Sequence, residues 1–116
     1  MKDLKKKYIK MIRLEFDDLK EDIELLIENE REKMESGKIS NYVFMENLTT
    51  LKHEIMSIES FENEVEKIDT AGCSDFNELV EKIKCIFIKK FKEFGFSETS
   101  IEILLRKLEK INKYFE

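Results

Sequence analysis

The sequence predicts an all-α protein: an antiparallel up-down-up-down four-helix bundle with a longer N-terminal helical hairpin. Apolar residues recur every three to four positions in four separate segments, which is the period of an amphipathic helix. The chain has no proline, and its three glycines fall at the breaks between those segments. No segment alternates apolar and polar residues as a half-buried strand would.

The first two helices are predicted over about residues 3–35 and 41–68. Ser36-Gly37 ends the first, because glycine tolerates the left-handed conformation that follows many helix ends. Ser40 is a good N-cap for the second helix. The expected core residues of these helices are Leu4, Tyr8, Ile12, Phe16, Leu19, Ile23, Leu26, Phe44, Leu48, Leu51, Ile55, Ile58, Phe61, Val65 and Ile68.

The third and fourth helices are predicted over about residues 75–94 and 98–115. Ser74 or Asp75 caps the third helix, and Gly95 ends it. Ser97 begins the fourth. The expected core residues here are Phe76, Val80, Ile83, Phe87, Phe91, Phe94, Ile101, Leu104, Leu108, Ile111 and Phe115.

The connections between the four helices are short, so neighbouring helices run antiparallel within a single domain of residues 1–116. The first two helices are predicted to be about 40–48 Å long and the last two about 27–30 Å, at 1.5 Å per residue. We therefore expect the hairpin tip, residues 25–45, to extend past the shorter helices.

Composition excludes several classes of protein. Apolar and charged residues each make up 41% of the chain, which a disordered or collagen-like sequence would not show. No apolar run approaches the roughly 18 residues of a membrane span, and no signal-peptide pattern follows the N-terminal lysines. Cys73 and Cys85 are expected about 15 Å apart, too far for a disulfide. These observations favour a reducing, cytoplasmic location.

The charge of the chain is unevenly distributed. Its net value is −5, which disfavours a dedicated nucleic-acid binder. Cations nevertheless cluster near the N-terminus and in the third helix, and we expect neighbouring acidic helices to neutralise much of their field. The alternative is a nucleic-acid-associated accessory subunit that uses Lys5, Lys6, Lys10, Arg13, Lys89, Lys90 and Lys92.

Catalytic patterns are scarce, and we predict no catalytic residues, no metal site and no cofactor. The sequence has no glycine-rich phosphate loop, no Cys-x-x-Cys and no His-Glu-x-x-His. A carboxylate-bridged di-metal centre in a four-helix bundle needs Glu-x-x-His on two helices, and Thr50 stands where that glutamate would precede His53. A carboxylate metalloprotein is therefore the least favoured alternative. Glu30 and Glu62 fall near the core side but are expected to swing outward.

The strongest functional signal is a set of side chains that lie off the core stripes. In the second helix a separate row is expected opposite the Phe44–Ile58 seam, and the first helix carries a weaker outward row. Tyr and Met are enriched in interfaces. The predicted partner-binding residues are Tyr42, Met45, His53, Met56, Leu14 and Leu25.

The sequence thus favours a non-enzymatic helical protein–protein interaction module. It would serve as an adaptor, a small complex subunit or a self-associating bundle, and a dimer is one such form. A protein partner is expected, nucleic acid is disfavoured, and no membrane association is expected. The plainer interpretation is that the off-stripe residues merely fill the flanks of a wide bundle.

Overall fold

The computed structural model describes residues 2–115, and within them the protein is all-α, as predicted. The helices are α1 (Lys2–Glu35), α2 (Asn41–Glu66), α3 (Phe76–Glu93) and α4 (Glu98–Lys113). A single 3₁₀ turn, Thr70–Gly72, lies between α2 and α3. Helices α2 and α4 each end two residues before the predicted boundary. None of the described helices is long and apolar enough to cross a membrane.

Contacts between the helices run in opposite sequence order, as neighbours in an antiparallel bundle require. From α1 to α2, Arg13 pairs with Glu66 and Glu30 bonds to Asn47. From α2 to α3, Phe61 packs on Phe91 and Glu64 pairs with Lys90, again in opposite order. Helix α3 also packs against α4. Helix α1 also packs along α4. These contacts close a four-helix bundle that is 56 Å long and 22–23 Å across.

Glycines end two helices with the same backbone geometry. Gly37 and Gly95 have φ angles of 80° and 81°, in the left-handed region where a side chain is strained. After α3, the Gly95 N–H donates to the Lys92 carbonyl and the Phe96 N–H to the Phe91 carbonyl, both at 3.0 Å. The Phe91 and Phe96 rings then pack 5.0 Å apart, the hydrophobic contact that often accompanies this helix end.

Serine and aspartate side chains begin the other helices where the sequence places them. Ser40 accepts from the Val43 N–H at 3.1 Å. Asp75 is the residue that caps α3, accepting from the Glu78 N–H at 2.8 Å. The Glu78 carboxylate accepts in turn from the backbone N–H of Ser74, one residue earlier than in the usual capping box.

The core of the four-helix part is built on phenylalanine rings. Phe16, Phe61, Phe87 and Phe91 are fully buried. Their centroids lie 4.6–6.3 Å apart across α1, α2 and α3. Such tilted and edge-on contacts add stability beyond the area they bury. The helices are therefore held together most firmly in the half of the molecule that contains all four of them.

A second buried centre joins α1 to α4 and to the 3₁₀ turn. Tyr8 is fully buried and donates its hydroxyl to Asn112 Oδ1. Lys5 is also buried, and its Nζ donates to the carbonyls of Thr70 at 3.1 Å and Cys73 at 2.7 Å. Lys5 was predicted to lie at the surface, but it is buried and joins α1 to the 3₁₀ turn. The two carbonyls replace the water that its ammonium group loses on burial.

Glu62 is buried rather than swung outward, contrary to expectation. Its Oε1 lies 2.8 Å from Lys20 Nζ, although it makes no well-aligned hydrogen bond within the described residues. Lys20 also lies 3.2 Å from Asp17. Burial raises the pKa of Glu62. These groups form an ion-pair network between α1 and α2 that fixes the register of the long hairpin.

The N-terminal hairpin extends beyond the other two helices, as predicted. Helix α1 has 34 residues and α4 has 16, which at 1.5 Å per residue is a difference of roughly 27 Å. We call residues 27–50 the hairpin extension, since they lie beyond the end of α3 and the start of α4. Leu26, at its base, was expected in the core but is 50% exposed, because no helix covers that side of α1 at its level.

Candidate interaction surface

The outer face of the hairpin extension carries exposed apolar side chains at one end of α2. Tyr42 is 72% exposed and Met45, one turn later, is 49% exposed. Met56 is also exposed but lies 14 residues from Tyr42, or about 21 Å along the helix. The structure therefore brings Tyr42 and Met45 together and leaves Met56 apart from them.

His53 lies on the flank of the bundle, where α2 meets the end of α3. Its Nε2 is 2.5 Å from the Phe94 carbonyl oxygen, which accepts the ring N–H. The ring also packs 5.4 Å from that of Phe94 and 6.1 Å from that of Phe96. This predicted partner-binding residue therefore already has internal contacts that hold it between α2 and α3.

Leu14 and Leu25 both project from the outer face of α1 and are more than half exposed. Eleven residues separate them, which places them on the same side of the helix but about 16 Å apart. Leu14 lies beside the four-helix part and Leu25 near the hairpin extension. The six predicted residues thus form separate points on the surface rather than one patch.

A groove opens on the inner side of the hairpin, where α3 ends and α4 begins. We call it the junction groove. It has a volume of about 290 Å³, and its walls are largely apolar. Leu26 and Ile103 stand exposed at its mouth, at 50% and 59%. Its lining residues are Leu19, Asp22, Ile23, Leu26, Glu54, Ile58, Phe91, Phe96, Ser100, Ile103 and Leu104.

The groove continues along the hairpin extension. A second hollow of about 250 Å³ shares Leu26 with the first and is lined further by Glu30, Asn47, Thr50 and Leu51. Together the two hollows follow the side of the hairpin that α3 and α4 would cover if they were longer. The apolar seam of the bundle is therefore left open over several helical turns.

Acidic groups line this open seam. Asp22 and Glu54 lie in the junction groove, and burial raises the pKa of Glu54. Glu30 lies in the next hollow, where a hydrogen bond from Asn47 Nδ2 at 2.9 Å lowers its pKa and Lys33 lies 3.4 Å away. No lysine or arginine lines either hollow among the described residues. The two hollows thus have an apolar floor, with Asp22, Glu54 and the lysine-paired Glu30 at their edges.

The cations of the nucleic-acid alternative are divided between internal contacts and solvent. Lys5 is buried on two carbonyls, and Arg13 is paired with Glu66. Lys90 lies 3.7 Å from both Glu64 of α2 and Glu93 of its own helix. The remaining four, which are exposed and form no ion pair within residues 2–115, are Lys6, Lys10, Lys89 and Lys92.

Metal-binding side chains are not grouped in the part of the chain that the structure describes. Three or more His, Cys, Asp or Glu residues do not converge there in a way that could hold a metal ion. Cys73 is buried and Cys85 exposed, and both are free.

Comparison of the chain with protein-family models, with curated proteins and with solved structures finds no match.

The sequence analysis did not predict the junction groove, although the sequence contains a feature that indicates it. Leu26 was assigned to the core because it continues the apolar stripe of α1. The stripe shows which face of a helix is apolar, whereas the length of the neighbouring helices decides where that face is covered. Combining the stripe with the predicted 25–45 overhang would have placed Leu26 on an open surface. Asp22 and Glu54 carry no sequence signal that distinguishes them from other surface acids.

Proposed function

We propose that this protein is a non-enzymatic helical interaction module that binds a partner protein through its N-terminal hairpin. The observation that carries the proposal is the set of exposed apolar side chains in the hairpin extension and at its base. Tyr42, Met45 and Leu26 are each about half exposed or more. Exposed apolar groups gathered near one end of a small domain are typical of a partner surface.

An adaptor or small-subunit role fits this arrangement better than catalysis. The four-helix part supplies the stability, and the extension presents side chains that the fold does not need for its core. We place the protein in a reducing, cytoplasmic setting, an interpretation that the two free cysteines support. The nucleic-acid alternative has weaker support, since three of its seven cations are held by internal contacts.

The test compares capture of partners by the wild type and by the double variant Tyr42→Glu/Met45→Lys. Both positions are exposed, so the fold should survive and the far-ultraviolet circular dichroism should not change. We expect the variant to lose a partner that the wild type retains from a cell extract, or to lose self-association measured by light scattering.

Tyr114→Glu is the matched control, because Tyr114 is an equally exposed tyrosine outside the hairpin. It should behave as the wild type does. A wild-type protein that stays strictly monomeric and retains no partner would overturn the proposal. So would equal loss of binding in the control.

A further inference from the structure

We infer that the junction groove and its continuation bind one amphipathic helix whose apolar stripe is flanked by lysine or arginine. The inference rests on the proposed function, because it names the chemistry of the partner and the face of the hairpin that it meets. It differs in its location, since Tyr42 and Met45 lie on the outer face of α2 and the groove lies on the inner side.

The shape of the open seam suits a helix. It begins at Leu19 in the junction groove and continues to Glu30 in the next hollow, eleven residues or about 16 Å along α1. A helix of fifteen residues is about 22 Å long and covers that distance. A guest helix would lie in the position that α3 and α4 vacate, with its side chains meeting Leu26 and Leu51 as those of a bundle helix would.

The groove has a buried apolar floor and exposed apolar residues at its mouth. Both favour a bound helix with apolar side chains on the face that meets the groove. Ile23, Ile58 and Phe91 form the floor and are already buried. Leu26 and Ile103 stand at the mouth, where a guest would remove their exposed area from water.

Charge identifies the guest as basic. Residues 22–54 carry eight acidic and four basic side chains, a net charge of −4, out of −5 for the whole chain. The segment that forms the open seam is thus itself negatively charged. Asp22, Glu30 and Glu54 line the two hollows themselves. Lysine or arginine on the flanks of a guest helix would complement this field and speed its association.

The same charge argues against a second copy of this chain as the occupant. Two extensions packed against each other would bring two segments of net charge −4 together. Like-charge juxtaposition across an interface is unfavourable. A basic helix avoids this repulsion and covers the same apolar side chains.

The test uses two labelled 15-residue peptides that share leucines at positions 1, 4, 5, 8, 11 and 12. One carries lysine at the flanking positions and the other carries glutamate there. Fluorescence anisotropy should show binding of the lysine peptide to the full-length protein, weakening as salt rises, and no binding of the glutamate peptide.

Single lysine substitutions then locate the site. Leu26→Lys and Ile103→Lys should each weaken binding of the lysine peptide about tenfold, the loss expected for one apolar contact. Tyr114→Lys is the matched control, because Tyr114 is an exposed side chain outside the hairpin and the variant also introduces a lysine. The double variant Asp22→Lys/Glu54→Lys should lose the lysine peptide and gain affinity for the glutamate peptide.

Three results would overturn the inference. The first is absence of binding of the lysine peptide to the wild type. The second is an equal loss in the Tyr114→Lys and Leu26→Lys variants, which would show nonspecific attraction to an acidic protein. The third is a concentration-dependent dimer, measured by light scattering, that Leu26→Lys disrupts, which would make a second copy the occupant. Partner capture that depends on Tyr42 and Met45 would leave the proposed function standing in any of these cases.

Discussion

The four-helix part and the hairpin extension carry the same apolar period but differ in what covers it. In the four-helix part, Ile12 and Phe16 of α1 are fully buried between neighbouring helices. Leu26 continues the same stripe and is half exposed. Within residues 27–50, the buried apolar residues are Ile27 and Phe44, which pack between two helices rather than four. An amphipathic pattern therefore shows which face of a helix is apolar. It does not show whether a helix of the same chain, another molecule or water lies against that face.

The two regions therefore differ in how many buried apolar contacts stabilise them. The phenylalanine cluster gives the four-helix part a core of its own, while the extension relies on one neighbour for each helix. Regions with few buried apolar contacts open at lower free energy than the core. The extension should therefore be the less stable part of the fold, and substitutions in the two regions should differ accordingly.

The largest difference is expected between Phe61→Ala and Phe44→Ala. Phe61 is fully buried among three other phenylalanines, so its truncation leaves a cavity and should cost about 3–5 kcal/mol. Phe44 lies under the Arg31 guanidinium, 5.9 Å from its ring, in a region that can relax. Urea unfolding of both variants measures the contrast, and equal losses of stability would show that the extension is as tightly packed as the core.

A smaller difference is expected between two hydrogen bonds. Tyr8→Phe leaves the buried Asn112 without its donor and should cost about 1–3 kcal/mol. Asn47→Ala removes the bond to Glu30 in the extension, where water can replace the lost donor, and should change the unfolding free energy far less. If the two variants have the same melting temperature, the buried polar centre does not contribute as we describe.

Gly95→Ala and Gly37→Ala test the two regions with the same local change. Both glycines have φ near +80°, and an added Cβ would meet nothing within 4 Å, so each should cost about 1–2 kcal/mol through backbone strain alone. Gly95 ends α3 beneath the core, and its variant should lower global stability. Gly37 lies at the hairpin tip, and its variant should mainly speed amide hydrogen exchange near residues 33–40. Slower exchange at the tip than in α3 would contradict this assignment.

The smallest effects are expected from Glu54 and Glu30, with opposite signs. Burial raises the pKa of Glu54, so its charged form destabilises the fold above that pKa and the penalty disappears as pH falls. The pKa of Glu30 is lowered, mainly by Asn47, so its contribution is present at neutral pH and is lost as pH falls. Glu54→Gln should raise the melting temperature at pH 7 and leave it unchanged below about pH 4, whereas Glu30→Gln should lower it at pH 7. Two variants that shift in the same direction would overturn the assignment.

Much of the fold could be predicted because helix ends and helix faces are local properties. Ser40, Gly37 and Gly95 act within one turn of their own position, and all three lie where the sequence predicted helix boundaries. The buried roles of Lys5 and Glu62 could not be predicted. Each depends on groups far along the chain, namely the carbonyls near Cys73 and the ammonium group of Lys20, and residue type alone favours the surface for both.

The candidate surface was predicted in part. The overhang of the hairpin follows from helix lengths, and the exposure of Tyr42 and Met45 follows from the helical period. The position of His53 against Phe94 and the existence of the junction groove do not follow, because they depend on which helix stands beside which. The six predicted partner-binding residues share an outward direction, but the period cannot show that they are far apart.

The sequence by itself determined four helices, their breaks and the unequal lengths of the two hairpins, since these arise from contacts within a few residues. The tertiary structure alone decided which apolar faces are covered, which charges are buried and where the acidic seam opens. The physical reason is that burial and desolvation depend on neighbours distant in sequence. The apolar stripe of α1 has the same sequence pattern where another helix covers it, as at Phe16, and where water does, as at Leu26.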